Sequence, residues 1–90
     1  MNDKEKFYSV INQFDFLKSL WDQVNHEIRI DAFEKRLGVM STGERHLAQF
    51  MAAVWFHDNR YEFDLVAAMN CLSGEYEEVV RDWVVMPYWP

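Results

Sequence analysis

A compact all-α bundle of four to five helices, closed by an extended C-terminal tail, is the fold this sequence predicts. Three observations carry that expectation. Apolar residues recur at three- and four-residue spacing along most of the 90 residues. Hydrophobic residues make up 50% and aromatics 17%, enough to fill a small core. Three Gly and two Pro are too few for the many tight turns of a sandwich or barrel. The length allows a single domain, residues 1–90, and no repeat, linker or low-complexity segment divides it.

Phe7, Val10, Phe14, Leu17, Trp21, Val24 and Ile28 alternate three- and four-residue steps, with Ile11 and Leu20 widening the stripe. They predict one long helix from residue 7 to residue 28, capped by Asn2 or Asp3, with a break near Ser19 or Asn25 as the alternative. Residues 30–38 predict a short helix with Asp31 as cap, Phe33 and Leu37 as its buried pair and Gly38 as its stop. Ser41-Thr42-Gly43-Glu44 has the capping-box pattern, and a central helix follows to Phe56. It turns Leu47, Phe50, Met51 and Val54 to one face, with Ala48, Ala52 and Ala53 small enough for close helix approach. After a polar break at 57–61, Asp64 is the expected cap of a short apolar helix through Leu72, and Ser73 the cap of the last helix. There Tyr76, Val79, Val80 and Trp83 recur on one face. Val84-Val85-Met86, β-branched in part, allows a short edge strand, and Pro87-Tyr88-Trp89-Pro90 is extended.

Several chemistries are disfavoured by residue count and spacing. One Cys excludes a disulfide framework or a multi-cysteine zinc site. His46 and His57 are eleven residues apart, about 16 Å along a helix axis, too far to share a metal. Cys71 sits in an apolar stretch and reads as a buried, inert thiol. Ser41 and Ser73 are used as caps, no G-x-S-x-G or P-loop is present, and no cofactor motif occurs. The expectation is a protein without enzymatic activity, cofactor or metal. No apolar run approaches the roughly 18 residues of a membrane span, and the N-terminus lacks a signal-peptide core, which together suggest a soluble cytoplasmic protein.

Net charge is −6, and its distribution is uneven. Residues 1–57 hold 8 acids and 7 bases; residues 58–90 hold 7 acids and 2 bases. Such a balance disfavours direct nucleic-acid binding, although residues 31–55 could form a helix-turn-helix whose reading face would offer Arg45 as its one reliable cation. Acids beside Tyr and Trp suit a surface that meets a basic protein, with charge speeding encounter and rings anchoring it. The candidate partner-binding residues are Glu75, Glu78 and Asp82, on one helical face at i, i+3 and i+7, with Tyr88 and Trp89 as anchors. Two other readings stand beside these: the acids as a solvated helix face, and the tail as a latch folded over the N-terminal helix. The stripe from Phe7 to Ile28 could also form a homodimer seam.

Ala32-Phe33, Leu37, Thr42-Gly43, Leu47-Ala48-Gln49-Phe50, Trp55 and Phe63-Asp64-Leu65 share order and spacing with a known group of sequences. Over residues 32–72 the chain resembles a family of small, uncharacterised helical proteins of bacterial plasmids, integrated elements and phages. It departs from that pattern at Arg60-Tyr61-Glu62, where a Gly is expected. The resemblance implies an all-helical fold and a mobile-element context, and carries no established activity. With the acidic surface, it leads to the expectation of an accessory protein that binds a host protein with a basic surface. An inhibitor of a host defence complex, of anti-CRISPR or anti-restriction type, is its specific form. A structural or regulatory homo-oligomer built on the N-terminal helix and a small DNA-binding regulator are the alternatives.

Overall fold

The computed structural model describes residues 1–90 as six helices and one two-stranded antiparallel ladder. In chain order these are α1 (Asp3–Ile11), α2 (Asp15–Lys18), β1 (Trp21–Asp22), β2 (Glu27–Ile28), α3 (Ile30–Leu37), α4 (Thr42–Phe56), α5 (Leu65–Cys71) and α6 (Gly74–Val85). The fold is mostly helical, as the periodicity predicts, and no helix is long and apolar enough to cross a membrane.

The largest departure from expectation lies between residues 12 and 28. The single long helix from residue 7 to residue 28 is absent, so the apolar stripe is not carried on one continuous helix. Of the two candidate caps it is Asn2 that starts α1, in a capping box: the Glu5 N–H donates to Asn2 Oδ1 at 2.8 Å, and the Asn2 N–H donates to Glu5 Oε1 at 3.3 Å. It ends at Ile11 because side chains beyond it take over the local hydrogen bonding. Gln23 Nε2 donates to Asn12 Oδ1 at 2.6 Å, fastening the end of α1 to the hairpin. The Asp22 carboxylate accepts from the Val24 and Asn25 backbone N–H groups, both at 3.1 Å, and from Asn25 Nδ2 at 2.8 Å. Those bonds hold the Asp22 carboxyl below its ordinary range and close the turn that pairs Trp21 with Ile28 and Asp22 with Glu27. His26 completes the turn at φ 56°, its Nδ1 2.8 Å from the Tyr8 hydroxyl and its ring stacked on that of Tyr8.

Folding back satisfies the stripe better than a straight rod would. Phe7, Ile11, Phe14, Leu17, Leu20, Trp21 and Ile28 all enter one core, and Val24 alone is left out at 87% exposure. A straight helix over residues 7–28 would be about 33 Å long, as long as the whole molecule, whose extents are 34 × 30 × 23 Å. Its two ends could not both reach the same central helix.

That central helix is α4, with Leu47, Ala48, Phe50, Met51, Ala52 and Val54 buried. Its capping box forms as the sequence predicts, the Ser41 N–H donating to Glu44 Oε1 at 3.0 Å and the Glu44 N–H to Ser41 Oγ at 3.3 Å. Phe7, Trp21, Phe33 and Trp55 meet edge to face or tilted, with Phe7–Trp21 and Phe7–Trp55 centroids 5.4 and 5.2 Å apart. α3 buries Phe33, but its N-cap is Arg29, so Asp31 lies inside the first turn rather than capping it.

α5 and α6 carry the remaining corrections. Asp64 caps α5 as expected, accepting from the Ala67 N–H at 3.0 Å. Yet α5 buries only Ala68, leaving Leu65 48% and Val66 81% exposed. Cys71 is exposed, not buried, because the end of α5 faces outward. Ser73 precedes α6 without a side-chain capping bond, and Gly74 takes φ +59° to swing the chain into the helix. Val84 and Val85 remain helical, so no edge strand forms there.

Candidate functional site

The distinctive surface of the molecule is built around α6 and the tail that follows it. Met86 leaves the helix at φ −141°, ψ 79°, as the residue before Pro87 must. The chain then doubles back toward α1. Trp83 Nε1 donates to the Tyr88 carbonyl at 2.8 Å, and the Trp89 N–H donates to Asp3 Oδ2 at 3.0 Å. Lys6 Nζ lies 5.3 Å from the centre of the Tyr88 ring. The latch reading of the tail therefore describes this structure.

Consequently the two expected anchors differ in accessibility. Tyr88 is 4% exposed, packed between α1 and α6, and cannot meet a partner while the tail is docked. Its hydroxyl is buried without a hydrogen-bond partner. Burial, reinforced by the nearby Asp82 carboxylate, pushes that hydroxyl up to about 12. Trp89 is 50% exposed and stands edge-on to Trp83 at 5.0 Å and to His57 at 5.3 Å.

Trp89 forms one wall of an apolar groove of about 280 Å³. Phe50 and Val54 of α4, Phe63 and Leu65 at the start of α5, and Trp83 and Val84 of α6 complete most of the lining. Phe50 meets Phe63 at 5.2 Å and Trp83 at 5.6 Å. The loop beside the groove is held by Asn59, whose Oδ1 accepts from the Phe63 N–H at 2.7 Å and whose Nδ2 donates to the Phe63 carbonyl at 3.0 Å. His57 ends α4 in the left-handed conformation at φ 58°. Sequence reasoning missed this groove, because its walls come from four separated segments; the only linear hint is the apolar content of 63–69 and 83–89.

On the opposite flank of α6 the structure brings Glu75, Glu78 and Asp82 together along one cleft of about 370 Å³ between α6 and α1. Lys6, Val10, Val79 and Tyr88 share its walls. All three acids are exposed. The only bases in residues 58–90 are both occupied: Arg60 pairs with Asp58 at 2.9 Å and Arg81 with Glu77 at 3.3 Å. The Arg60 hydrogen bonds hold the Asp58 carboxyl below its ordinary range. The Tyr76 hydroxyl is raised by burial and then by Glu44 and Glu75.

Other candidates do not converge. His57 lines the apolar groove, whereas Cys71 belongs to a separate hollow with Gly43, Ser73, Glu75 and Tyr76. No group of three His, Cys, Asp or Glu side chains is placed to share a metal ion. Arg45, the cation of the helix-turn-helix reading, donates Nε to the Leu37 carbonyl at 3.2 Å and Nη2 to that of Met40 at 3.4 Å. No protein family model matches the chain, and comparison with curated proteins and with solved structures finds no match.

Proposed function

We propose that this chain is a protein-binding module whose α6 and C-terminal tail dock an apolar side chain of a basic protein partner. One observation carries the proposal: an open apolar groove, walled by Trp89, Trp83, Val84 and Leu65, lies in the part of the molecule whose only two bases are already neutralised. Glu75, Glu78 and Asp82 supply a negative field on the opposite flank of α6. In this division of labour the acids set the rate of encounter and the groove sets the lifetime of the complex. Trp89 takes the anchoring role alone, since Tyr88 holds the tail in place.

In its specific form, the chain is an accessory protein of a mobile element that covers a nucleic-acid-binding surface of a host defence complex. Such a surface is basic by necessity, which is the complement this exterior requires. The mobile-element context rests on the family resemblance over residues 32–72.

The test begins with proteins retained by the wild-type chain from bacterial host lysate, followed by association kinetics on the purified partner. Reversing Glu75, Glu78 and Asp82 to Lys is expected to slow association steeply at low salt and little at high salt. Trp89→Ala and Val84→Glu are expected to accelerate dissociation, with a loss of about 2 kcal/mol for the anchor. Retention of the same partner by the groove variants at unchanged off-rate refutes the proposal.

Self-association is the second reading, favoured by the exposure of Val66, Val84, Val85 and Met86 at 55–81%. Sedimentation at two concentrations decides it: a monomer at both removes this reading.

A further inference from the structure

We propose that the apolar groove walled by α4, the start of α5, α6 and Trp89 accepts a lysine side chain of the partner that is methylated to a quaternary ammonium. This rests on, and deepens, the reading of that groove as the docking site, because it names the side chain that docks.

The first support is the arrangement of rings. Phe50 meets Trp83 at 84°, Trp83 meets Trp89 at 81°, and Trp89 meets His57 at 78°, with centroids 5.6, 5.0 and 5.3 Å apart. All four residues line the groove. Two rings set edge to face make a right-angled corner with a face of each on its inside. A cation held in such a corner is attracted by the negative faces of both rings. The chain's own cation–ring contacts, Lys6 on Tyr88 and Arg60 on Phe56, leave Trp83 and Trp89 without a cation. Trp89 is half-exposed and within reach of a partner.

Hydrogen bonding then selects the kind of cation. Asn59 spends both its amide oxygen and its amide nitrogen on the backbone of Phe63. Trp83 Nε1 is taken by the Tyr88 carbonyl, and both Asp58 oxygens accept from Arg60. The ammonium of an ordinary lysine brings three N–H donors that would be poorly satisfied in such a groove, and leaving them so is costly. A trimethylated nitrogen has no N–H, presents only methyl surface, and keeps its full positive charge. Val54, Leu65 and Val84 provide apolar wall for the methylene stem, and the groove's volume of about 280 Å³ has room for one such side chain.

Charge favours a cation over a neutral apolar group. No Lys or Arg lines the groove. Five of its lining residues come from residues 57–65, which carry Asp58, Glu62 and Asp64 against Arg60 alone. Asp58 and Arg60 neutralise each other at 2.9 Å. Glu62 and Asp64 remain, both exposed and each next in sequence to a wall residue, Phe63 or Leu65.

The experiment titrates the isotope-labelled full chain and follows the Trp83 and Trp89 indole N–H resonances with the Phe63 and Leu65 backbone amides. The probes are short blocked Gly–Ser peptides with one central side chain: trimethyllysine, lysine, or the neutral isostere in which a quaternary carbon replaces the nitrogen. Tetramethylammonium chloride tests the head group alone, and sodium chloride matches ionic strength. The trimethyllysine peptide is expected to bind about fivefold more tightly than either other peptide. Tetramethylammonium, lacking the stem, is expected to bind about tenfold more weakly than the trimethyllysine peptide. Trp89→Leu keeps an apolar wall but removes a ring face, so it is expected to erase most of the preference for the cation over its neutral isostere. The wild-type ratios decide the matter even where that variant loosens the tail. Equal or tighter binding of the lysine peptide or the neutral isostere overturns the proposal, as does the absence of saturable shifts. Tetramethylammonium binding as tightly as the peptide overturns the assignment to a protein side chain. A neutral isostere that binds best removes this inference alone and leaves the groove as an apolar docking site, so the two failures are told apart.

Discussion

Replacing Tyr88 with Phe is expected to make the protein more stable at neutral pH and to remove part of its sensitivity to alkali. The ring of Tyr88 is packed at 4% exposure, and Phe preserves that packing. What it removes is a buried hydroxyl with no partner. Leaving such a group unsatisfied costs about 1–3 kcal/mol, so Tyr88→Phe is expected to gain about 1 kcal/mol at pH 7. The alkaline effect follows from the ionisation of the hydroxyl, near 10 in the unfolded chain and about 12 in the folded one. Between those values the unfolded state releases a proton that the folded state retains. Wild-type stability from this group is therefore intact below pH 10 and is lost as pH rises through 12, by up to about 2–3 kcal/mol. Tyr8, Tyr61 and Tyr76 are also raised by burial, but they are common to both proteins and cancel in the difference. Urea unfolding followed by circular dichroism at pH 7, 10 and 11 measures it. Two results would refute the reasoning: a Phe variant less stable than wild type at pH 7, or stability curves that fall in parallel above pH 10.

Three further outcomes follow from the fold. Ser41→Ala removes half of the α4 capping box and is expected to cost about 1 kcal/mol, read as a fall of several degrees in Tm by calorimetry. Gly74→Ala is expected to lose about 1 kcal/mol through its φ of +59°, although open space surrounds the site, whereas Gly43→Ala meets Tyr76 at an ordinary 3.6 Å and is expected to be tolerated. The contrast is measured by urea unfolding of the pair. Phe33→Ala empties a fully buried ring site beside Trp21 and Tyr61 and is expected to cost about 3–5 kcal/mol, a large part of the stability of a domain this small; circular dichroism at 37 °C reports the loss.

The helices from residue 30 onward were legible because local signals and tertiary demands agree there. Ser41 and Glu44 cap α4, Asp64 caps α5, and the apolar faces of α4 point where their spacing says. Residues 7–28 misled for a physical reason. Three- and four-residue spacing is satisfied equally by one rod and by α1, α2 and a hairpin that bring the same residues inward. The deciding interactions, Asn12 with Gln23 and Asp22 with Asn25, are polar and add nothing to the periodicity. At the candidate site, the shared face of Glu75, Glu78 and Asp82 was readable from helix geometry, and the cleft they line was not. Tyr88 and Trp89 are adjacent in sequence and opposite in burial, a difference set by the backbone path after Pro87. The exposure of Cys71 was hidden because α5, though apolar in composition, turns most of its apolar side chains outward.

The four tryptophans give the molecule an optical reporter of its own. Trp21 is 2% exposed in the aromatic centre, Trp55 and Trp83 are half-buried, and Trp89 stands half in water. Emission excited at the red edge, and its quenching by iodide, follow Trp89 selectively, while the blue-shifted emission follows Trp21. A molecule filling the groove would dim the first signal's access to quencher and leave the second untouched, so occupancy and unfolding can be told apart in one cuvette without a label.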